Sequence, residues 1–276
     1  MPHIRTAWDI RLEHLYLGYE NKAILHNINT VIPGGKITFV LGESGCGKST
    51  LLRHIIGLAK PISGKILYGG QDLFSLPTKQ FRSIRRRFGV LFQDGALLGA
   101  LTLAENVGLP LSENTNLPPT IIRETVIRTL SLVGLEKFAD FFPNELSGGM
   151  KKRGGLARAI VTEPPILFCD EPTSGLDPIN SAQMDQLLIG MKTQYPEMTL
   201  LVVSHDLASV SRIAEHILFI KDGAIIFSGS YPELKSSKDP YLQRFIDRKP
   251  EKESIRVEAS PINPAVRVAL NAWLEE

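Results

Sequence analysis

At 276 residues and 43% hydrophobic content the chain can build a sizeable core as one large domain or two small ones, and it reads as a folded, soluble protein. A formal net charge of +2 with no long Lys/Arg run gives no case for nucleic acid as a partner. Cys46 and Cys169 are the only cysteines, which argues against a disulfide framework and for a reducing cytosol; no apolar run approaches the roughly 18 to 20 residues that cross a bilayer, so a membrane role has to come from a partner.

Met1 to Ile10 lacks the apolar stretch of a secretory signal, and no export is expected. Ile10 to Ile32 is predicted to supply antiparallel strands, with Tyr19 in a strand-turn region. Ile37 to Leu41 reads as a buried strand running into Gly42-Glu43-Ser44-Gly45-Cys46-Gly47-Lys48-Ser49-Thr50. Phe88 to Phe92 is strand-like and ends at Gln93. From there to about Ile160 helix signals dominate. Thr102 with Glu105 forms a capping box, and Ile122, Val126, Leu130 and Val133 recur at helical spacing after Pro118-Pro119, with Gly134 where a C-terminal cap lies. Leu146-Ser147-Gly148-Gly149-Met150 is a second glycine-rich turn entering a helix, although Gly154 inside that helix costs up to about 1 kcal/mol and should lower its rigidity. Ile166 to Cys169 reads as a buried strand leading to Asp170-Glu171-Pro172 and the turn Ser174 to Asp177. Thr199 to Ser204 is another strand, ending at His205, and His216 to Ile220, Asp222-Gly223 and Ala224 to Phe227 read as a hairpin.

Strands alternating with helical patterns predict an α/β core with a largely parallel sheet. Residues about 94 to 160 form a helical subdomain inserted in that core, the whole spanning residues 1 to 248. Charged, aperiodic residues from Asp247 to Ser260 predict a linker; Asn263-Pro264 then opens a short helix with Val266, Ala269, Leu270 and Trp273 on one face, a candidate for a further protein contact.

The segment Gly42 to Thr50 fits the G-x-x-x-x-G-K-[ST] pattern between a strand and a helix, the context of a phosphate loop. Its glycines let backbone N–H groups and a helix N-terminus face phosphate; Lys48 is expected to reach the β and γ phosphates of ATP and Ser49 to ligate Mg²⁺. Asp170 is cast as a Mg²⁺ partner acting through the ion's own ligands or through water, and Glu171 as the group that polarises the attacking water. Gln93 is placed to contact Mg²⁺ or water at the entrance to the helical insert, His205 to hydrogen-bond the γ phosphate, and Tyr19 to stack on adenine. Cys46, at a helix N-terminus, is expected to have a lowered thiol pKa. The turn Ser147 to Gly149 implies a second phosphate surface. One nucleotide cannot easily touch both surfaces within one chain, so the economical arrangement is a pair of chains that share their nucleotides.

Over about Ile10 to Ile246 this motif series resembles the nucleotide-binding subunit of ABC transporters, a P-loop NTPase cassette with a RecA-like core, an antiparallel β subdomain and an inserted helical subdomain. The resemblance implies a head-to-tail dimer in which Ser147, Gly148 and Gly149 of one chain meet the γ phosphate held by Gly45, Gly47, Lys48, Ser49 and Thr50 of the other. It also implies that Asp177 couples the two sites, and that a permease helix docks near Gln93, where Leu97, Leu98 and Leu101 either line the groove or pack the helical subdomain. The run from Leu91 to Val107, and Met150 where most cassettes carry Gln, resembles the ATPases of MCE-type lipid transporters, the maintenance-of-lipid-asymmetry group. That implies phospholipid transport at the cytoplasmic face of a bacterial inner membrane, with permease subunits, an MCE-domain lipid-binding protein and a STAS-domain regulator as partners. An amino-acid importer or lipoprotein-release ATPase shares every catalytic motif, and a soluble cassette ATPase acting on DNA or ribosomes is the alternative from another class.

Overall fold

The computed structural model describes residues 7–20, 22–249 and 262–274. Its strands are β1 (Ile10–Tyr19), β2 (Lys22–Ile32), β3 (Ile37–Gly42), β4 (Ser63–Tyr68), β5 (Gln71–Asp72), β6 (Phe88–Leu91), β7 (Ile166–Asp170), β8 (Thr199–Val203), β9 (His216–Lys221) and β10 (Ala224–Gly229). Its helices are α1 (Lys48–Ile55), α2 (Thr78–Arg85), α3 (Leu103–Asn114), α4 (Pro119–Leu132), α5 (Gly148–Ile160), α6 (Pro178–Gln194), α7 (Leu207–Ile213), α8 (Tyr231–Ser236), α9 (Pro240–Ile246) and α10 (Pro264–Leu274). The chain divides into two compact units, Met1–Ser236 and Ser237–Glu276.

In the first unit one sheet has the order β2-β1-β4-β5 and is antiparallel. Its strand β1 buries Ile10 and Leu12, then Leu15 and Leu17, so the inward set slips by one residue between them. The slip is a bulge at His14, whose φ of 48 and amide bond to Asn29 Oδ1 (2.8 Å) absorb the extra residue and return Leu15 to the inner face. The other sheet has the order β10-β9-β3-β8-β7-β6, with β3 parallel to β8 and β9, β7 parallel to β6 and β8, and β10 antiparallel to β9. All of β3 and β8 is buried, as the unbroken apolar runs of a sheet covered on both faces require. The β9–β10 hairpin turns on Asp222 and Gly223, both at positive φ, the geometry a two-residue turn needs.

Helix α1 buries Leu51, Leu52 and Ile55 in a core shared with apolar residues of both sheets, and Tyr68 of β4 donates its hydroxyl to the Ile55 carbonyl at 2.6 Å. The loop before α1 is therefore held from below. In the helical arm, α3 starts on the expected capping box, Glu105 N to Thr102 Oγ1 at 3.3 Å and Thr102 N to Glu105 Oε2 at 2.7 Å. Helix α4 ends as its sequence predicts: Gly134 has φ 67, its N–H reaches the Ser131 carbonyl, and Leu135 N–H reaches the Leu130 carbonyl.

In the second unit Asp239 caps α9 through bonds from Tyr241 and Leu242 N–H, and Asn263 Oδ1 accepts from Ala265 N–H at the start of α10. Val266, Leu270 and Trp273 of α10 are exposed. From residue 250 on, the expected linker lies outside the described residues. No helix among the described residues is long and apolar enough to cross a membrane.

Candidate active site

Strand register gathers the candidate residues. Val40 pairs with Val203, Val203 with Asp170, and Leu91 with Cys169, so β3, β8, β7 and β6 end together at one edge of the parallel sheet. Gly42 closes β3 there, and beyond the other ends follow His205, Glu171 and Gln93. Ligands of open α/β sheets bind outside the C-terminal ends of the strands.

The loop from β3 to α1 has the backbone a phosphate cradle needs. Gly42, Gly45 and Gly47 have φ of 150, 81 and 105. A Cβ on Gly42 would lie 2.4 Å from the Ile220 carbonyl oxygen and one on Gly47 2.8 Å from Leu25, whereas at Gly45 it would meet nothing within 4 Å. The loop is closed toward the core and open at Gly45. Glu43, Ser44 and Ser49 are exposed, while Lys48 and Thr50 are buried. Lys48 Nζ donates to the carbonyls of Gly42 and Glu43, each at 2.9 Å. A buried ammonium held only by neutral carbonyls is ready for an anion. Cys46 departs from the expectation: burial, the largest influence, raises its thiol pKa, and the nearby Lys48 charge only partly offsets this. Burial also pushes the Cys169 thiol up to about 12, so both cysteines rest as thiols.

Beside the loop, Asp170 has Oδ1 buried without a hydrogen-bond partner. Burial first, and then the Glu171 charge, push its carboxyl above the usual range against the pull of Arg53, Ser49 and Lys48. An orphaned carboxylate oxygen next to Ser49 fits a magnesium ion. Glu171 has φ 49 and anchors its N–H on the Val203 carbonyl at 2.8 Å, while His205 Nδ1 lies 3.0 Å from Glu171 Oε1. The structure thus brings His205 to the carboxylate of Glu171. Gln93 stands exposed at the end of β6. Tyr19 is 42% exposed, with its ring 6.0 Å from that of His54 on α1.

Ser147 caps α5, accepting from Met150 N–H at 3.3 Å, and a Cβ on Gly148 would meet nothing within 4 Å. Gly149 instead faces Asn180 and Leu176. Asp177 caps α6, accepting from Ile179 and Asn180 N–H at 2.9 and 3.0 Å, and the Asn180 side chain is the main influence that lowers its pKa. Leu98 is 48% exposed, whereas Leu97 packs on Gly154.

Gly154 has a packing role beside its propensity cost. A Cβ there would lie 2.7 Å from Leu103, and one on Gly155 2.7 Å from the Gly95 backbone, so the missing side chains let the segment after Gln93 cross α5 in contact. Arg158 of α5 clamps the same segment, donating to the carbonyls of Ala96 at 2.7 Å and Gly95 at 2.9 Å. Sequence reasoning missed Lys152, 6% exposed, which donates to the Glu171 carbonyl at 3.0 Å and to the Ser174 carbonyl. Its helical phase with buried Leu156 and Ala159 was the available signal.

A phosphate loop facing an acidic strand end and a histidine, with a helical arm that offers its own capped glycine turn, defines an ATP-binding cassette. Residues 25–174 match the ABC transporter family, and the chain belongs to that family. It is 40% identical over 227 residues to the intermembrane phospholipid transport system ATP-binding protein MlaF of Escherichia coli (strain K12), covering 82% of this chain and 84% of that protein. It is 37% identical over 238 residues to the probable ribonucleotide transport ATP-binding protein mkl of Mycobacterium tuberculosis; the match takes in 86% of this chain but spans only 66% of that relative's length. Among solved structures, the dimeric bacterial ABC transporter cassette MJ0796 matches with a TM-score of 0.73 at 33% identity, over 80% of this chain and 98% of its own. That cassette is also known in a post-hydrolysis state bound to ADP and Pi. The cbiO1 chain of Clostridium perfringens, part of the transporter complex cbiONQ, matches with a TM-score of 0.76 at 31% identity, over 86% of this chain and 94% of its own.

Proposed function

We propose that the chain binds and hydrolyses ATP at the sheet edge, pairs head to tail with a second copy, and drives a separate permease that moves phospholipid between inner and outer membranes. The observation that carries the hydrolytic part is Glu171 held 3.0 Å from His205 beside the orphaned oxygen of Asp170. In this reading the Gly42 to Thr50 backbone cradles the phosphates, and Lys48 exchanges two loop carbonyls for β and γ phosphate oxygens. Ser49, Asp170 and Gln93 would hold Mg²⁺, which when bound neutralises phosphate charge. Glu171 takes the proton of the attacking water, oriented by His205, which then reaches the γ phosphate. Tyr19 stacks on adenine. Ser147, Gly148 and Gly149 cover the nucleotide of the second copy, and Asp177 stands at the junction. ATP favours the closed pair because only that state makes both sets of phosphate contacts, and hydrolysis removes the difference.

Phospholipid is preferred as cargo because the relative whose own length is matched to 84% carries that function in its name, against 66% for the relative named for ribonucleotide. The reading places the chain at the cytoplasmic face of the inner membrane, held there by the permease, with an MCE-domain protein and a STAS-domain regulator as further partners and α10 as a candidate contact. Replacing Glu171 with Gln should leave ATP binding intact, trap a dimer on size-exclusion chromatography and lower turnover by roughly 10² to 10⁴; turnover near normal would remove Glu171 as the base. Lipid identified in the purified complex by mass spectrometry tests the cargo, and a complex that carries none and moves none between vesicles would overturn it.

A further inference from the structure

Lys152 joins parts of the site that the sequence keeps far apart. It lies on α5, one and a half turns beyond the Ser147 cap, and its buried ammonium donates to the carbonyls of Glu171 and Ser174. Those carbonyls bracket the turn that sets the direction of the Glu171 side chain. Glu171 is there in the left-handed region at φ 49, a conformation a non-glycine residue keeps only where its surroundings over-determine it. Three bonds do so: Glu171 N–H to the Val203 carbonyl at 2.8 Å, Ser174 N–H to the Glu171 carbonyl at 3.2 Å, and the Lys152 ammonium to that same carbonyl at 3.0 Å. The first comes from the sheet and the second from the turn itself; the third, from Lys152, ties the turn to α5. Burial lowers the pKa of this lysine, and the charges of Asp94, directly after Gln93, and of Glu171 only partly offset it.

We propose that Lys152 is a positioning residue through which the Ser147 end of α5 sets the backbone of Glu171 in the same chain. The proposal rests on the roles given above to Ser147 and Glu171. When Ser147 to Gly149 close on the nucleotide of the second copy, α5 shifts as a rigid rod, and Lys152 carries the shift to the Glu171 carbonyl. The glycine contacts at Gly154 and Gly155 pass the same shift to the segment after Gln93. Each chain thereby readies its own base only when its Ser147 to Gly149 turn is engaged, which links the two hydrolytic sites of the pair.

The test uses the full-length chain at concentrations that support the ATP-driven dimer. Lys152→Met, of similar length without donors, should lower kcat by about 10- to 100-fold, the penalty of a base misplaced by a fraction of an ångström, with KM for ATP, ATP stoichiometry and dimer formation changed less than about threefold. Lys152→Arg should recover most of the loss. Ser147→Ala and Lys152→Met combined should be no worse than the worse single variant, because both cut one relay. Wild-type kcat in Lys152→Met, or losses that multiply in the double variant, overturns the proposal. A fall in kcat matched by a fall in ATP stoichiometry and Tm shows a structural role only and overturns it too. Should Lys152→Met not fold, Lys152→Gln, with a neutral donor, takes its place under the same criteria. Glu171→Gln run alongside separates the two levels: near-normal turnover there defeats the base assignment, whereas an inactive Glu171→Gln beside a fully active Lys152→Met defeats the relay alone.

Discussion

The helical arm and the edge of the parallel sheet treat their polar groups in opposite ways. In the arm, Asn106 is fully buried and fully used: its Oδ1 accepts from Leu98 N–H at 2.7 Å, and its Nδ2 lies within 3.1 Å of the carbonyls of Leu98, Leu101 and Thr102. Arg158, the Thr102 box and the Gly134 cap likewise close the arm's own backbone. At the sheet edge Asp170 Oδ1 has no partner, Glu171 is left-handed, and Lys48 rests on two carbonyls. Burial of a polar group without a bond costs about 1 to 3 kcal/mol, so the arm's polarity maintains shape while the edge's polarity opposes stability until a ligand arrives. The contrast predicts that substitutions in the arm cost stability and that one at the edge gains it.

The largest loss should come where arm and core touch. Gly155→Leu drives a side chain into the Gly95 backbone, which cannot yield as a side chain would, and should cost about 3 kcal/mol or prevent folding. Chemical denaturation measures it; a variant as stable as the parent would mean that the 95–97 segment is free to move away from α5. Asn106→Ala comes next, at about 2 kcal/mol, because it strands buried carbonyls as well as removing bonds. A cost below about 0.5 kcal/mol would show that the loop after Gln93 is held by something else.

Much of this contrast was legible beforehand, and what was not has definite causes. The strands of the parallel sheet are apolar runs ending in motifs, so the edge could be assembled from sequence once strands were assumed parallel. Helix α2 escapes the sequence because only Phe81 and Ile84 of its eight residues are apolar, too short a stripe to stand out. The bulge at His14 depends on pairing with β2 and leaves no local signature beyond a broken alternation. Lys152 reads as exposed, as a lysine ordinarily is, and Gly154 reads only as a cost to its helix because the partner that needs the space, Leu103, lies far off in sequence. The last three misses are tertiary contacts overriding a local preference.

Thr102→Ala tests the arm at its rim. Loss of the cap should cost about 1 kcal/mol, read as a small fall in denaturation midpoint with ATP binding unchanged. If ATP binding weakened as well, the arm's geometry would be serving the edge more directly than the contrast allows.

The smallest effect has the opposite sign. Asp170→Asn keeps the shape but removes a charge that burial and Glu171 both disfavour, so without nucleotide or magnesium the variant should be more stable than the parent, by less than about 1 kcal/mol because the site is only partly buried. Addition of magnesium and ATP should reverse the order: the parent gains stability from a ligand that neutralises the carboxylate, and the variant gains far less. The crossing of the two melting temperatures is the measurement, taken by scanning fluorimetry in chelator and then with magnesium and ATP. A variant less stable than the parent in chelator would show that Asp170 supports the fold in the free chain, and the edge would then follow the same rule as the arm.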